Sequence, residues 1–130
     1  MRKKMSNELK DVAALKKMDL EDRFPLFVDQ VVSSDEVWGL LGEGWASFFD
    51  RDQGIQAFPV WASKELAEIN AVGDWAGFEA RSFTVQQFVV ELAPGLVEMN
   101  YQLAVSKLPE DTGHFVRASM AVDELQKLLS

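Results

Sequence analysis

EVWGLLGEGWASFFDRDQGIQAFPVWAS, residues Glu36–Ser63, holds three of the chain's four tryptophans, and its reading decides the fold class. Glu36–Leu41, Trp45–Phe49 and Ile55–Trp61 are rich in Val, Trp, Phe and Ile, residues that suit a pleated, half-buried surface, and the intervening GEG and DRDQG are turn compositions. The spacing predicts a three-stranded antiparallel meander. Pro59 has no N–H to give to a ladder, which places the third strand at a sheet edge or at a bulge. In EVWGLL, Trp38 and Leu40 share one face while Val37 and Leu41 take the other, so both faces of this strand need a cover.

Helices on both sides of this stretch can supply it. Ser6 or Asn7 caps a first helix running to Lys17, with a modest apolar stripe of Leu9, Val12, Ala13 and Leu15. Leu20, Phe24, Phe27, Val28 and Val31 predict a second helix, capped by Asp19 or Asp22, with Pro25 in its first turn and SSDE at its end. Ser63 caps a short helix with Leu66 and Ile69, and the loop VGDWAGF leads into a strand over Glu79–Phe83. Thr84 and Gln87 form a capping box ahead of the stripe Val85, Phe88, Val89 and Leu92, and Pro94 and Gly95 are expected to stop that helix. Tyr101–Val105 and His114–Ala118 read as strands joined by SKLPEDTG, and a last helix presents Val122, Leu125 and Leu129. The order predicts a single α+β domain over residues 18–130, a mostly antiparallel sheet with helices packed on it, preceded by a basic helical extension over residues 1–17.

Composition narrows the chemistry. A chain of 130 residues can bury a core without staples, and with no cysteine it has no disulfides, thiolate nucleophiles or cysteine zinc sites. MRKK is followed by charges where an export signal needs an apolar run, and no segment is long and apolar enough to span a bilayer, so a cytoplasmic protein without membrane contact is expected. Met5, directly before a capping serine, is an alternative native start to Met1. Six basic residues lie in the first seventeen, leaving seven basic against nineteen acidic in the rest, a charge of −12. Such a body repels phosphate backbones, which argues against nucleic acid and for a basic protein partner; self-association is left open.

Motifs for catalysis are missing. Gly39, Gly42 and Gly44 lead into a strand and read as a hairpin turn, not a phosphate loop. DRDQG has glycine at its fifth position and Trp61 where a calcium loop needs glutamate. His114 is the only histidine and follows Gly113 with no nucleophile motif beside it, so neither catalytic residues nor a metal or cofactor site is assigned. Each buried tryptophan removes about 150–250 Å² from water, so core packing is a sufficient reason for most of them. Trp38, mid-strand, is expected in the core, and Trp75, between glycines in GDWAG, is expected to be the most exposed and to serve recognition.

EVWGL, GWA, FPVW before a KELA-type helix, W-x-G-F-E, a capped helix ending in LAPGL, and a final strand and helix together resemble a bacterial family, domain of unknown function 2750, from about Arg23 to Leu129. Ala62 departs from it, standing where the family commonly has proline, in a turn. The resemblance implies a small bacterial cytosolic α+β protein and brings no catalytic residue with it. Two functional readings stand. The first is a non-enzymatic protein-binding or regulatory module acting through an acidic surface. The second is a small-molecule-binding protein or enzyme whose pocket is lined by Trp61, Trp75 and Phe78, with Glu79 and Arg81 as polar contacts.

Overall fold

The computed structural model describes residues 12–129, and the expected caps at Ser6 or Asn7, Leu9 and the Met5 start lie outside them, as does the Leu129 side chain. Residues 12–17 are helical, and Leu15 is only 3% exposed, packed in a core with Leu40, Trp61, Leu66 and Leu108. A 3-10 turn over Leu20–Asp22 leads into helix α1, Arg23–Ser34. Pro25 falls in its first turn as expected, and Phe27, Val28 and Val31 form its buried face. Leu20 lies outside that face, exposed before the helix begins, and neither Asp19 nor Asp22 caps with its side chain. The turn itself replaces the cap, because the Asp22 N–H is already taken by the Asp19 carbonyl at 3.0 Å. Asp35 ends the helix in the left-handed region at φ 58°, and its Oδ1 accepts from the Val85 N–H at 3.0 Å, so the stop of α1 also fastens the start of a later helix.

Six strands follow in two sheets: β1 (Val37–Leu41) with β4 (Glu79–Phe83), and β2 (Phe48–Asp50), β3 (Ile55–Val60), β5 (Gln102–Val105) and β6 (His114–Arg117) in the order β2-β3-β5-β6. Only β3–β5 is parallel. The expected meander is corrected to a β2–β3 hairpin, because β1 gives one whole edge to β4 over five register pairs from Val37↔Phe83 to Leu41↔Glu79. Its other edge serves Ala46, whose N–H donates to the Leu40 carbonyl at 2.8 Å, and Trp61, which exchanges two 2.9 Å bonds with Trp38. The Trp38–Trp61 bridge is thus where the two sheets meet.

Pro59 sits in an interior strand, contrary to the edge expectation. Val60 accepts from the Ser106 N–H at 3.0 Å and so faces β5, which turns the neighbouring Pro59 the opposite way. There β2 has ended, with Phe48 opposite Ala57, and the next bonds belong to Trp61 and Trp38. The missing donor faces that gap.

Ser63 caps α2 (Lys64–Ile69), accepting from the Leu66 N–H at 3.2 Å. The Thr84–Gln87 capping box opens α3, which does not stop at Pro94: Val85–Gln87 is α-helical, Phe88–Leu92 is π-helical and Ala93–Glu98 is α-helical again. The Ala93 N–H reaches back five residues to the Phe88 carbonyl. This wider turn relieves the clash a proline ring makes with the carbonyl four residues earlier. Val85, Phe88, Val89, Ala93 and Leu96 continue one buried stripe through the bulge. The stop comes at Asn100, φ 62°, where the Tyr101 N–H donates to Leu96 at 2.9 Å and the Asn100 N–H to Val97 at 3.1 Å. Helix α4, Ala118–Leu129, closes the order and buries Ala121 and Leu125.

The result is an α+β domain with two linked cores. One lies under α1, α3 and α4 and includes Phe27, Phe88, Leu103 and Leu125; the other gathers around Trp61. Trp61, at 0% exposure, is the fully buried tryptophan. Trp38, Trp45 and Trp75 are each half-buried, so Trp38 does not have the full burial expected of it, and Trp75, expected to be the most exposed, is half-buried like the other two.

Trp61→Ala is expected to cost about 3–5 kcal/mol and Leu15→Ala about 2–4 kcal/mol. Phe49→Ala, at a ring 57% exposed, is expected within about 0.5 kcal/mol of wild type. Denaturant midpoints measure all three, and a near-neutral Leu15→Ala would mean that the helix over residues 12–17 is not integral to the domain.

Candidate functional site

The five residues expected to line one pocket divide between two places. Phe78, Glu79 and Arg81 border an open depression of about 410 Å³ with Lys64, Glu68 and Ala80. Phe78 lies over Gly42, where a Cβ would come within 2.7 Å of its ring, which explains a glycine at that position of the turn. Glu79 and Arg81 are exposed and pair with each other at 2.9 Å. Trp61 and Trp75 do not line this depression. They lie instead around the β5–β6 loop, Ser106–Gly113, read from the sequence only as a polar connector.

Lys107 joins the two rings. Its carbonyl accepts from the Trp61 indole N–H at 2.7 Å and from Asn70 Nδ2 at 2.9 Å, and the same Nδ2 bonds the Leu66 carbonyl at 2.8 Å. Its ammonium stands 5.6 Å from the Trp75 ring centroid and 5.9 Å from that of Phe48, and donates to the Leu108 carbonyl at 2.9 Å. Trp75 and Phe48 also contact each other, with centroids 6.0 Å apart. Burial holds the Lys107 amine below the usual lysine range, partly offset by the charges of Asp111 and Glu110.

Beneath the loop lies Arg23, 3% exposed and on the first turn of α1. Its two terminal nitrogens meet both oxygens of Asp111 at 3.1 and 2.9 Å, the Ser106 carbonyl at 2.9 Å and the Leu15 carbonyl at 3.0 Å. Asp111 Oδ1 also accepts from the N–H groups of Leu108 at 3.0 Å and Gly113 at 2.9 Å. Burial raises the Asp111 pKa, but the bonds from Arg23, Leu108 and Gly113 outweigh it and hold the carboxyl below the usual carboxylate range. Gly113 needs its φ of 70°, and a Cβ there would stand 2.8 Å from the Val105 carbonyl. Sequence reasoning missed Arg23, Asn70, Lys107 and Asp111; the available signal was D-T-G in the loop, an aspartate placed to bond the backbone two residues on.

A second location lies between α1 and α4. Phe24, Pro25 and Val28 face Met120 and Leu128 across a groove of about 370 Å³, rimmed by Asp29 and Glu124. Met120 and Leu128 are 54% and 52% exposed. On the other flank of α1, Asp29, Gln30, Ser33 and Ser34 face Ala62, Ser63 and Leu66 in a more polar groove of about 410 Å³. Among the described residues, no three His, Asp or Glu side chains converge as metal ligands.

The family model described as Protein of unknown function (DUF2750) matches residues 24–125, and the chain belongs to that family. The match takes in Lys107, Asp111 and most of the α1–α4 groove and begins one residue after Arg23. Comparison with curated proteins and with solved structures finds no match.

The depressed pKa of Asp111 fixes the sign of a pH effect. Its pairing contributes stability above the ordinary carboxylate value of 3.8 and is lost as the pH falls through the lower folded value. Asp111→Asn is therefore expected to lose about 2 kcal/mol or more near neutral pH, because the Arg23 charge stays buried without its counter-ion. Below about pH 4 its stability should fall less steeply with acid than that of wild type. Chemical denaturation of both proteins across the acid range measures the two effects, and parallel curves would mean that the pair is not coupled to folding.

Proposed function

We propose that this DUF2750 protein is a non-enzymatic, cytoplasmic protein-binding module that takes a basic amphipathic segment of a partner in the groove between α1 and α4. The observation that carries this reading is the groove itself. Met120 and Leu128 stand eight residues apart on α4 with Glu124 midway, and all three face the apolar floor of Phe24, Pro25 and Val28. Two large apolar side chains more than half exposed, beside an acidic rim of Asp29 and Glu124, suit a helix that inserts apolar anchors and sets cations on either side. Glu124 is paired with Lys127 at 3.3 Å, but that pair is exposed and readily exchanged for a partner's cation. The net charge of −8 favours approach of a basic partner at long range.

The pocket reading has less support. Two of its five residues face elsewhere, and the depression beside the other three is walled chiefly by Lys64, Glu68, Glu79 and Arg81. Small-molecule sites are mostly apolar with a few convergent polar groups.

A labelled helical peptide of leucine and lysine, with a leucine–glutamate peptide of the same pattern as control, tests the proposal by fluorescence anisotropy. The cationic peptide is expected to bind and the anionic one not. Met120→Asp with Leu128→Asp should weaken binding about tenfold or more, with little change in melting because both side chains are exposed. Asp29→Lys with Glu124→Lys should weaken it and reduce its salt dependence. Binding indifferent to both pairs of changes would place any partner site elsewhere and sink the proposal.

A further inference from the structure

We infer that the free edge of β4 is an interface with a second copy of this chain, the two β4 strands pairing antiparallel about Ala80. β4 is the outer strand of the two-stranded sheet, and among the described residues no backbone bond reaches its outer side. It is also the longest such edge, five residues against three in β2 and four in β6. The bonds of β1 decide which groups line it. Trp38 gives its N–H and its carbonyl to Trp61, and the Leu40 carbonyl goes to Ala46, so Val37, Gly39 and Leu41 are the residues turned toward β4. Their partners Phe83, Arg81 and Glu79 answer them, which leaves Ala80 and Ser82 with N–H and C=O directed outward. Glu79, Arg81 and Ser82 are exposed. A strand edge with unpaired donors and acceptors is a template for another strand.

Charge selects the occupant and the register. Outward-facing residues must meet outward-facing residues, so two β4 strands can pair about Ala80, Arg81 or Ser82. Pairing about Arg81 sets two guanidiniums opposite each other, and like charges directly across a ladder repel. Pairing about Ser82 leaves Glu79 and Arg81 facing Val85 and Phe83, and runs Ala80 against Thr84, whose N–H is already held by Gln87 Oε1 at 2.9 Å. Pairing about Ala80 sets Glu79 of each copy against Arg81 of the other, twice over by symmetry. Both pairs are of the non-hydrogen-bonded kind, in which side chains stand closest. Ala80 meets its own copy at the axis without bulk, and their N–H and carbonyl groups bond reciprocally. Ser82 falls opposite Phe78, whose N–H is engaged with Trp75 at 3.0 Å, so there Ser82 donates to the Phe78 carbonyl only. Within one copy Glu79 and Arg81 already pair at 2.9 Å, but with side chains 70% and 57% exposed the exchange for cross-strand partners costs little. The product is a four-stranded sheet in the order β1-β4-β4-β1 in place of a two-stranded ribbon.

Sedimentation equilibrium of the full chain tests this at about 0.15 M salt, where repulsion between two chains of net charge −8 is screened. Half-dimerisation is expected on the order of 100 µM, in keeping with a small polar contact. Glu79→Arg and Arg81→Glu should each weaken association about tenfold or more, and because both side chains are exposed neither should move the melting temperature. An equimolar mixture of these two variants restores opposite charges in both cross-strand pairs and should associate within about threefold of wild type. Ser82→Pro removes an outward N–H that a single copy does not use and should weaken association about as much as a charge reversal. A chain still monomeric at about 500 µM, association unmoved by either charge reversal, or a mixture no tighter than its components would overturn the proposal.

Discussion

One buried guanidinium organises much of this molecule. Arg23 receives no help from solvent, so every partner must come from the chain, and those partners lie far apart in sequence: Leu15 before it, Ser106 at the end of β5 and Asp111 in the loop beyond. A buried charge left unpaired is among the most costly features a fold can contain, whereas one paired with a carboxylate, as Arg23 is through its two terminal nitrogens, specifies geometry more than it adds stability. Here the geometry specified is the closure of the β5–β6 loop onto the start of α1. Asp111 transmits it, because the oxygen that meets Arg23 Nη1 also gathers the N–H groups of Leu108 and Gly113. Leu108 is thereby placed in the core around Trp61, and Lys107 is placed where its carbonyl meets the Trp61 indole.

Trp61 then answers for the density of tryptophan in the opening stretch. It follows the last residue of β3, exchanges backbone bonds with Trp38 and buries its whole ring, so backbone and side chain both work at the junction of the two sheets. Pro59 just before it contributes by subtraction: with no N–H directed at the gap between β2 and β1, no donor is stranded where the sheet opens. Trp38 and Trp75 flank this ring half-buried, packed against the same core. Their burial is shared between neighbours, which a reading of single strands and loops does not register.

Local signals were the ones legible in sequence. The order of helices and strands, the Ser63 cap, the Thr84–Gln87 box and the buried stripe of α1 all follow from side chains within a few residues of one another. What escaped was decided at long range. Whether β1 pairs with its neighbour or with β4 depends on which strand reaches its free edge, and nothing within Glu36–Ser63 encodes the arrival of Glu79–Phe83. Pro94 looked like a stop because the rule for proline assumes an unbroken α-helix, and a π turn one residue earlier suspends the assumption. Nothing local in the sequence marks Arg23 for burial, since the carboxylate that justifies it lies 88 residues away. The expected pocket failed for a related reason: Trp61 and Trp75 do meet, but through Lys107, while β4 carries Glu79 and Arg81 away from them.

The same inward placement of cations shapes the surface. Of the seven basic residues after position 17, Arg23 is buried and Lys107 is half-buried over rings, while Arg81 and Lys127 are engaged with Glu79 and Glu124. Arg23, Arg81 and Lys127 are each matched by one carboxylate, so these pairs leave the net charge of −8 to set the long-range field. A groove rimmed by Asp29 and Glu124 inherits that field, and its apolar floor is lined by Phe24 and Val28 of the same helix whose first residue is Arg23. The pairing with Asp111 that fastens the start of α1 therefore lies within one helical turn of Phe24 and Pro25 in the groove floor.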